Sequence, residues 1–478
     1  MYKRQKKFLE ECRKLNIQDY EYPFNTVDKA QRTFYSYLDK ISAEKTNDAI
    51  KRESQNAQQK YYSTGIGERN RAYPLIPFST VQIDGHKLDV IYTVEVKNKN
   101  GEIIMQPAMR MWLIAVIDVA TRTILGYSLT PSENYNQTDV FKALKNAIMP
   151  KQPIDFTIGG FCYPSNYGFH SLAIKETEWA MIDTIMLDNA KSHLANNVIQ
   201  KISESLHCSL NYGSVATPET RGIIERVFGT LEEHGFHRLP VTTGSNTQDI
   251  RRDKAEQNAV KYKITYNDIE QLVEYFIALY NNAPHSSLDN ETPLECMQRR
   301  IKAGLCPHIA TIEEKEKINA LTYTMEQIKI RGSEKHGKRP YITYKGVKYR
   351  NDILAQSMGL IGQTLYIQVN PDNIRTIKAF FEDGTELGWL VATGEWGRKD
   401  HSLKTREDAL RLANENKRRN DQFYAPLTEL ENQLNKRAEM NRRDRTKVAQ
   451  IRKEQNRTLQ SDSCLLYTSP SPRDRTRS

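Results

Sequence analysis

A chain of 478 residues with 38% hydrophobic content has room for roughly three packed domains. No run reaches the eighteen or so consecutive apolar residues of a membrane span, and the charged stretch from Met1 to Leu15 does not read as a signal peptide. The net charge of +10 is uneven: residues 1–75 carry 15 basic and 10 acidic side chains, residues 404–457 carry 15 and 9, and the middle is close to neutral or slightly acidic. Two basic ends suit a polyanion gripped on either side of the centre; solvated basic helices would give the same balance. Cys12, Cys162, Cys208, Cys296 and Cys306 are scattered without a C-x-x-C pair. That pattern reads as reduced thiols in a cytosolic protein and argues against a structural zinc site.

In chain order, the spacing of Phe8, Leu9, Cys12 and Leu15 predicts a first short helix. Asn25 and Asp28, after Pro23, predict the start of a second, with Phe34, Tyr35, Leu38 and Ile41 as its apolar stripe. Two basic helices about a turn fit a remnant helix-turn-helix or winged-helix module, and equally a helical arm packed on the next domain. Residues 42–75, rich in Asn, Gln, Lys and Ser, read as a linker. From Phe78 the period changes to two, and Leu88, Val90, Tyr92, Val94 and Val96 predict a half-buried strand before the turn at Lys97-Asn98-Lys99-Asn100-Gly101. Met111 to Ile117 reads as a buried central strand, Thr123 to Leu129 as a third, and Asp139 to Ile148 as a short helix. This order predicts a mixed α/β domain.

Residues 151–180 read as an irregular insertion without a derived role. Ile199, Ile202 and Leu206 mark a helix after Asp188, and Ile269, Leu272, Tyr275, Phe276 and Leu279 mark one from Tyr266 to Tyr280. Lys338 to Trp396 is turn-rich and alternating, which predicts a small barrel. Glu407 to Arg457 is helical and polar, with Leu410, Leu427, Leu430 and Leu434 too sparse for a long coiled coil.

Three acids stand where strands end or a helix begins. Ile185-Met186-Leu187 is a short apolar run that delivers Asp188 into a loop. Pro218 and Gly222 break a second loop that starts an amphipathic helix with Glu225 in its first turns, and Val81-Gln82-Ile83-Asp84 places a third carboxylate on another strand. Hard divalent cations take oxygen ligands, so acids so placed can share one.

The words around these acids carry a resemblance. They are Ile83-Asp84-Gly85-His86-Lys87-Leu88-Asp89-Val90, the run from Ile117 to Tyr127, Leu187-Asp188-Asn189 and Gly222-Ile223-Ile224-Glu225-Arg226. Tyr280-Asn281-Asn282, His285, Leu288 and Thr292-Pro293-Leu294-Glu295 follow. In this order they resemble the DDE transposases of the retroviral integrase superfamily, and more specifically the TnsB/TniA/Mu-type group, over roughly residues 80 to 400.

The resemblance implies an α/β protein with an RNase H-like catalytic domain at 76–260, after a helical, basic DNA-binding region and linker at 1–75. A helical connector at 261–334, a Mu-transposase-type β-barrel at 335–400 and a basic helical tail at 401–463 would follow. It implies Asp84 as the bridge between two Mg²⁺ ions (Mn²⁺ as substitute), with Asp188 and Glu225 flanking. Water would free a 3′-OH at the transposon end, and that hydroxyl would attack target DNA in the same site. The implied partners are double-stranded DNA, as transposon ends and target, and further copies of the chain in a homo-oligomer on paired ends. An AAA+ ATPase regulator would engage the C-terminal tail, in a prokaryotic, nucleoid-associated cytoplasmic setting without a membrane.

Each residue also has a plainer reading. Asp188-Asn189 is good turn chemistry, and an acid near a helix start, as Glu225 is, is favoured by the helix dipole alone. Asp89 and Asp118 are strand-borne rivals of Asp84. Asp89 lies five residues on, which alternation puts on the opposite face, and Asp118 begins a turn with Thr121-Arg122 that suits a structural role. Arg221, Arg226 and His193 are candidates for contacts with DNA, against solvated arginines and a structural histidine. His234 and His237 have a spacing suited to metal but no cysteine nearby, and stay without a role. Two rival functions are an RNase H-like nuclease without strand transfer and a catalytically inactive, DNA-binding architectural protein. Residues 464–478 are expected to be foreign, because Cys464-Leu465-Leu466-Tyr467-Thr468-Ser469 back-translates as sequencing-adapter read-through; the natural C-terminus would then be missing.

Overall fold

Alternation in Thr80–Lys87 (β1) sends Val81 and Ile83 into one apolar core and turns Gln82, Asp84 and His86 to the other side of the sheet. Trp112–Asp118 (β4) is buried on both faces, with Leu113, Ala115 and Ile117 in one core and Ile114 and Val116 in the other. Such a strand must lie in the middle of a sheet covered on both sides. The computed structural model, which describes residues 2–46, 49–50, 74–98, 100–187, 195–211, 222–244, 251–415 and 425–465, places it there. Thr93–Lys97 (β2) and Ile103–Pro107 (β3) form a separate hairpin, while Ile124–Thr130 (β5), Thr184–Met186 (β6) and Ser209–Asn211 (β7) complete a five-stranded sheet. Its order is β5-β4-β1-β6-β7. β1 runs antiparallel to β4 and parallel to β6, so β1 is fully paired on both edges near its start.

Gln137–Ile148 covers one face with Val140, Phe141 and Leu144, joined by Ile202 and Leu206 of Ala195–Leu206. Gly222–His234 and Tyr266–Asn281 cover the other with Ile224, Val227, Phe228, Ile269, Val273 and Ile277. Capping boxes at Asn136/Asp139 and Thr265/Asp268 fix two of these helix starts.

The strand predicted through Leu88 to Val96 is broken. β1 ends at Lys87; Leu88 N still donates to Met111 O beside β4, but farther on the backbone pairs elsewhere, through Ile91 N to Val241 O and Thr93 N to Ile264 O. Val90, Ile91, Tyr92, Thr93 and Val94 are all buried, so the apparent alternation is not one face of one strand.

The chain divides into two units, residues 1–72 and 73–478. In the first, Phe8 of Tyr2–Lys14 stacks on Phe34 of Gln31–Glu44 at 4.8 Å and Cys12 is buried, but Leu15 lies outside the helix and exposed. The second helix starts at Gln31, not near Asn25, because Lys29 and Ala30 adopt left-handed backbone and Asp28 Oδ1 accepts from Ala30 N. Most of the expected linker falls outside the described residues.

In the second unit, residues 151–180 dock on Tyr266–Asn281. Gln271 Oε1 accepts Thr157 N at 2.7 Å, and the fully buried Glu274 accepts Tyr163 Oη and Lys151 Nζ at 2.7 Å each. A second sheet takes Thr324–Lys329 (β8), Arg331–Ser333 (β9), Lys338–Tyr344 (β10), Val347–Arg350 (β11), Thr364–Val369 (β12), Thr376–Phe380 (β13) and Glu386–Ala392 (β14) in the order β8-β12-β13-β14-β11-β10-β9. It curls enough for Tyr344 on β10 to donate to Glu326 on β8 at 2.9 Å. β8 and β9 lie inside the segment expected to be a helical connector; β8 is exposed at five of six positions, so no period-two signal marks it.

The tail folds back as Leu403–Glu415, Pro426–Ala438 and Arg442–Leu465. Much of its positive charge is spent within the chain. Arg406 is fully buried against His401, Tyr349 and Ile374 O, Arg445 donates to Pro107 O, and Arg443 pairs with Glu133. No helix among the described residues is long and apolar enough to cross a membrane.

Candidate active site

Asp84 sits at the middle of β1, half-buried, with Oδ1 accepting from Gly85 N at 2.7 Å. The glycine beside it is a packing requirement: a Cβ there would lie 2.4 Å from the Tyr135 ring. Glu225 is exposed on the first turn of Gly222–His234. Asp188, His193 and Arg221 lie outside the described residues. β6 ends at Met186, two residues short of Asp188, and its parallel register pairs Met186 with Gln82, two residues before Asp84.

Gln82 is the residue that the sequence did not single out. It is 2% exposed, its Oε1 accepts Ile224 N at 3.1 Å, and its Nε2 faces Met186 Sδ at 3.9 Å. One neutral side chain therefore touches the strand carrying Asp84, the strand running toward Asp188 and the helix turn carrying Glu225. Ile224 N is one of the first amides of its helix, which have no intrahelical partner, so the helix start is held by the sheet. Farther along, His86 Nε2 meets Glu232 Oε1 at 3.0 Å and the His86 ring stacks on Phe228. From Gln82 to His86 a strand rises about 13 Å, and from Ile224 to Glu232 a helix rises about 12 Å. The match explains how the helix lies alongside β1 and is tied to it twice.

Of the rival acids, Asp118 is structural. It is fully buried, Oδ2 accepts Thr121 N at 2.8 Å and Thr121 Oγ1 at 2.6 Å, and Oδ1 accepts Phe78 N at 2.9 Å. Burial pushes its carboxyl up, opposed by those hydrogen bonds. Asp89 is not on the opposite face from the acid helix: β1 stops at Lys87, parity no longer applies, and Asp89 N donates to Glu232 Oε1 at 3.0 Å. Arg226 is exposed, and its Nε donates to Gly222 O of its own helix at 2.6 Å. The post-catalytic words are structural. Asn281, fully buried, accepts Ile124 N at 2.9 Å and donates to Ile124 O and Gly168 O at 3.0 and 2.9 Å, while Thr292 and Glu295 form a capping box.

Asp84 on a half-buried strand and Glu225 on an exposed helix turn both offer carboxylate oxygens, the atoms that hard divalent ions take as ligands. Among known proteins, a family model described as the TnsB C-terminal domain matches residues 82–241, a span containing all three acids. The transposase for transposon Tn552 of Staphylococcus aureus is 23% identical over 327 residues, which are 68% of this chain and 55% of that protein. The chain thus spans about half the length of that curated relative. The simian T-cell lymphotropic virus intasome in complex with PP2A regulatory subunit B56 gamma aligns over 74% of this chain and 95% of its own, at 11% identity and a TM-score of 0.26. That score is too low to carry any argument. By the domain match and the Tn552 relative, this chain is similar, at a distance, to the TnsB-type transposases.

Proposed function

We propose that this chain is a DDE transposase subunit that cleaves transposon DNA at its 3′ ends and joins those ends to target DNA. The observation that supports the reading is the Gln82 side chain on the central strand β1, which ties the strand carrying Asp84 to the helix turn carrying Glu225 and lies beside Met186, the last residue of the strand that runs toward Asp188. The sheet order β5-β4-β1-β6-β7, with three antiparallel strands followed by two parallel ones, is that expected of an RNase H-like domain. Asp84, Asp188 and Glu225 would hold two Mg²⁺ ions, which when bound supply an activated oxygen nucleophile and stabilise the leaving oxygen. Asp84 fixes the site to the rigid centre of the sheet, and the exposed Glu225 leaves it open to a duplex. Double-stranded DNA and further copies of the chain on paired ends are the partners this reading requires. An AAA+ regulator contacting the tail would meet a surface whose arginines are partly engaged already.

The test is strand transfer of a pre-cleaved, labelled 3′-OH end into plasmid DNA with Mg²⁺ or Mn²⁺, comparing wild type with Asp188→Asn and Glu225→Gln. Joined product from wild type alone supports the proposal. Nicking of the plasmid or degradation of the labelled end without joining selects the nuclease reading, and equal product from all three proteins removes the acid assignment.

A further inference from the structure

Two turns beyond Glu225 on the same helix, a second group of ligand atoms converges. Asp89, Glu232 and His237 bring one potential ligand atom each within 4.8 Å of one another. The partners of the remaining atoms decide which ones face inward. Asp89 Oδ1 is engaged by the Arg110 guanidinium and by Thr243 Oγ1 at 3.4 Å, which turns Oδ2 toward His237 Nε2 at 3.4 Å. Glu232 Oε1 accepts from Asp89 N and meets His86 Nε2, both at 3.0 Å, which turns Oε2 toward His237 Nε2 at 3.5 Å.

Glu232 is only 4% exposed, and its Oε2 is buried without a hydrogen-bond partner. A buried carboxylate oxygen left without a donor costs free energy. His237 Nε2 carries at most one proton, which cannot point at both Asp89 and Glu232. A cation placed among the three atoms satisfies them together. Four-coordinate zinc with bonds near 2.0–2.2 Å has ligands about 3.4 Å apart along each tetrahedral edge. The two separations observed, 3.4 and 3.5 Å, are of that size.

We propose that Asp89 Oδ2, Glu232 Oε2 and His237 Nε2 form a binding site for a divalent transition-metal ion of the zinc class, separate from the Asp84/Glu225 centre. One imidazole with two carboxylates and no thiolate favours such an ion over Mg²⁺, which prefers oxygen ligands alone. His86 and Arg110 orient the two carboxylates from outside. The ion joins the end of β1 to the last turns of Gly222–His234 and to the 3₁₀ turn Phe236–Arg238, fixing the helix whose first turn carries Glu225. His234 does not join this group; it faces Arg238 Nη2 at 3.4 Å.

The test is zinc titration of the full chain by equilibrium dialysis in excess Mg²⁺, with zinc-edge X-ray absorption on the loaded protein. We expect one zinc per chain with a nitrogen/oxygen shell and no sulfur. His237→Ala, Asp89→Asn and Glu232→Gln should each weaken it by at least about 10- to 100-fold, with folding checked by circular dichroism. Glu225→Gln should bind zinc as wild type does, which separates this site from the proposed catalytic one. A folded wild type that binds no zinc would overturn the proposal. Equal binding by wild type and all three ligand variants, or a sulfur shell, would overturn it as well.

Discussion

Replacing Gln82 with Leu should loosen the acid helix without touching an acid. Leu matches most of the volume of Gln, so the cavity contribution is small. What is lost is the acceptor for Ile224 N, a buried helix-start amide with a 3.1 Å bond to Gln82 Oε1. A buried donor left unpaired costs about 1–3 kcal/mol, a sizeable part of the roughly 5–15 kcal/mol that holds a domain folded. Urea unfolding should show a lower midpoint at unchanged slope. On the proposed function, the Mg²⁺ concentration for half-maximal strand transfer should rise, because the helix turn that carries Glu225 is then held less firmly to β1. Gln82→Glu keeps an oxygen for Ile224 N but buries a carboxylate where Gln82 is 2% exposed, and should also lower the midpoint. If Gln82→Leu matched wild type in both midpoint and Mg²⁺ dependence, the Gln82 bridge would have no part in holding the site.

Other residues make sharper structural demands. Gly85→Ala puts a Cβ 2.4 Å from the Tyr135 ring and should destabilise by about 1–3 kcal/mol; adding Tyr135→Ala should cost less than the two changes summed, measured as a double-mutant cycle. Asn281→Ala leaves Ile124 N, Ile124 O and Gly168 O without their buried partner and should cost at least about 2 kcal/mol in urea. Asp118→Ala should destabilise comparably through Thr121 N and Phe78 N, whereas Glu225→Gln, on an exposed turn, should stay within about 0.5 kcal/mol of wild type. Burial pushes the His170 and His401 imidazoles down to about 4 from 6.5, with Arg406 adding to the effect at His401. Folded values below the unfolded ones mean that the unfolded chain takes up the protons first. Stability is therefore full above about pH 6.5 and falls between there and pH 4, by on the order of 3 kcal/mol for each histidine. His170→Gln or His401→Gln should flatten that slope in denaturant titrations across the range.

The elements legible in the sequence are those whose burial follows one simple period. β12 is buried at every second position, and Ile269 and Leu272 face inward on Tyr266–Asn281, so spacing marks both elements, although Leu279 of the expected stripe is exposed and Val273 and Ile277 are buried in its place. Three kinds of feature are hidden. β8 is exposed on both faces and leaves no pattern. The run from Leu88 to Val96 looks like one strand because nearly every residue in it is buried, though by several different neighbours. Parity counting puts Asp89 on the wrong face because it assumes an unbroken strand, and β1 stops two residues earlier. The helix onto which residues 151–180 dock is visible, but the docking depends on Gln271 and Glu274, polar residues buried within an otherwise apolar stripe.

The candidate site divides along the same line. Acids that act on a substrate must face solvent or a groove, and so add little to folding; their signal lies in the short words around them. The residues packed around those positions are individually ordinary: a buried glutamine on β1, a buried glutamate two turns down the helix, and a half-buried glycine against Tyr135. Glu225 is held at its distance from the sheet by Gln82 at one end of its helix and by Glu232 at the other. Because Gln82 and His86 both lie on β1, the helix that carries Glu225 is tied twice to the strand that carries Asp84. If the chain acts on DNA as proposed, two ties to one strand are a physical reason for Asp84 and Glu225 to keep their relative placement when a large substrate binds.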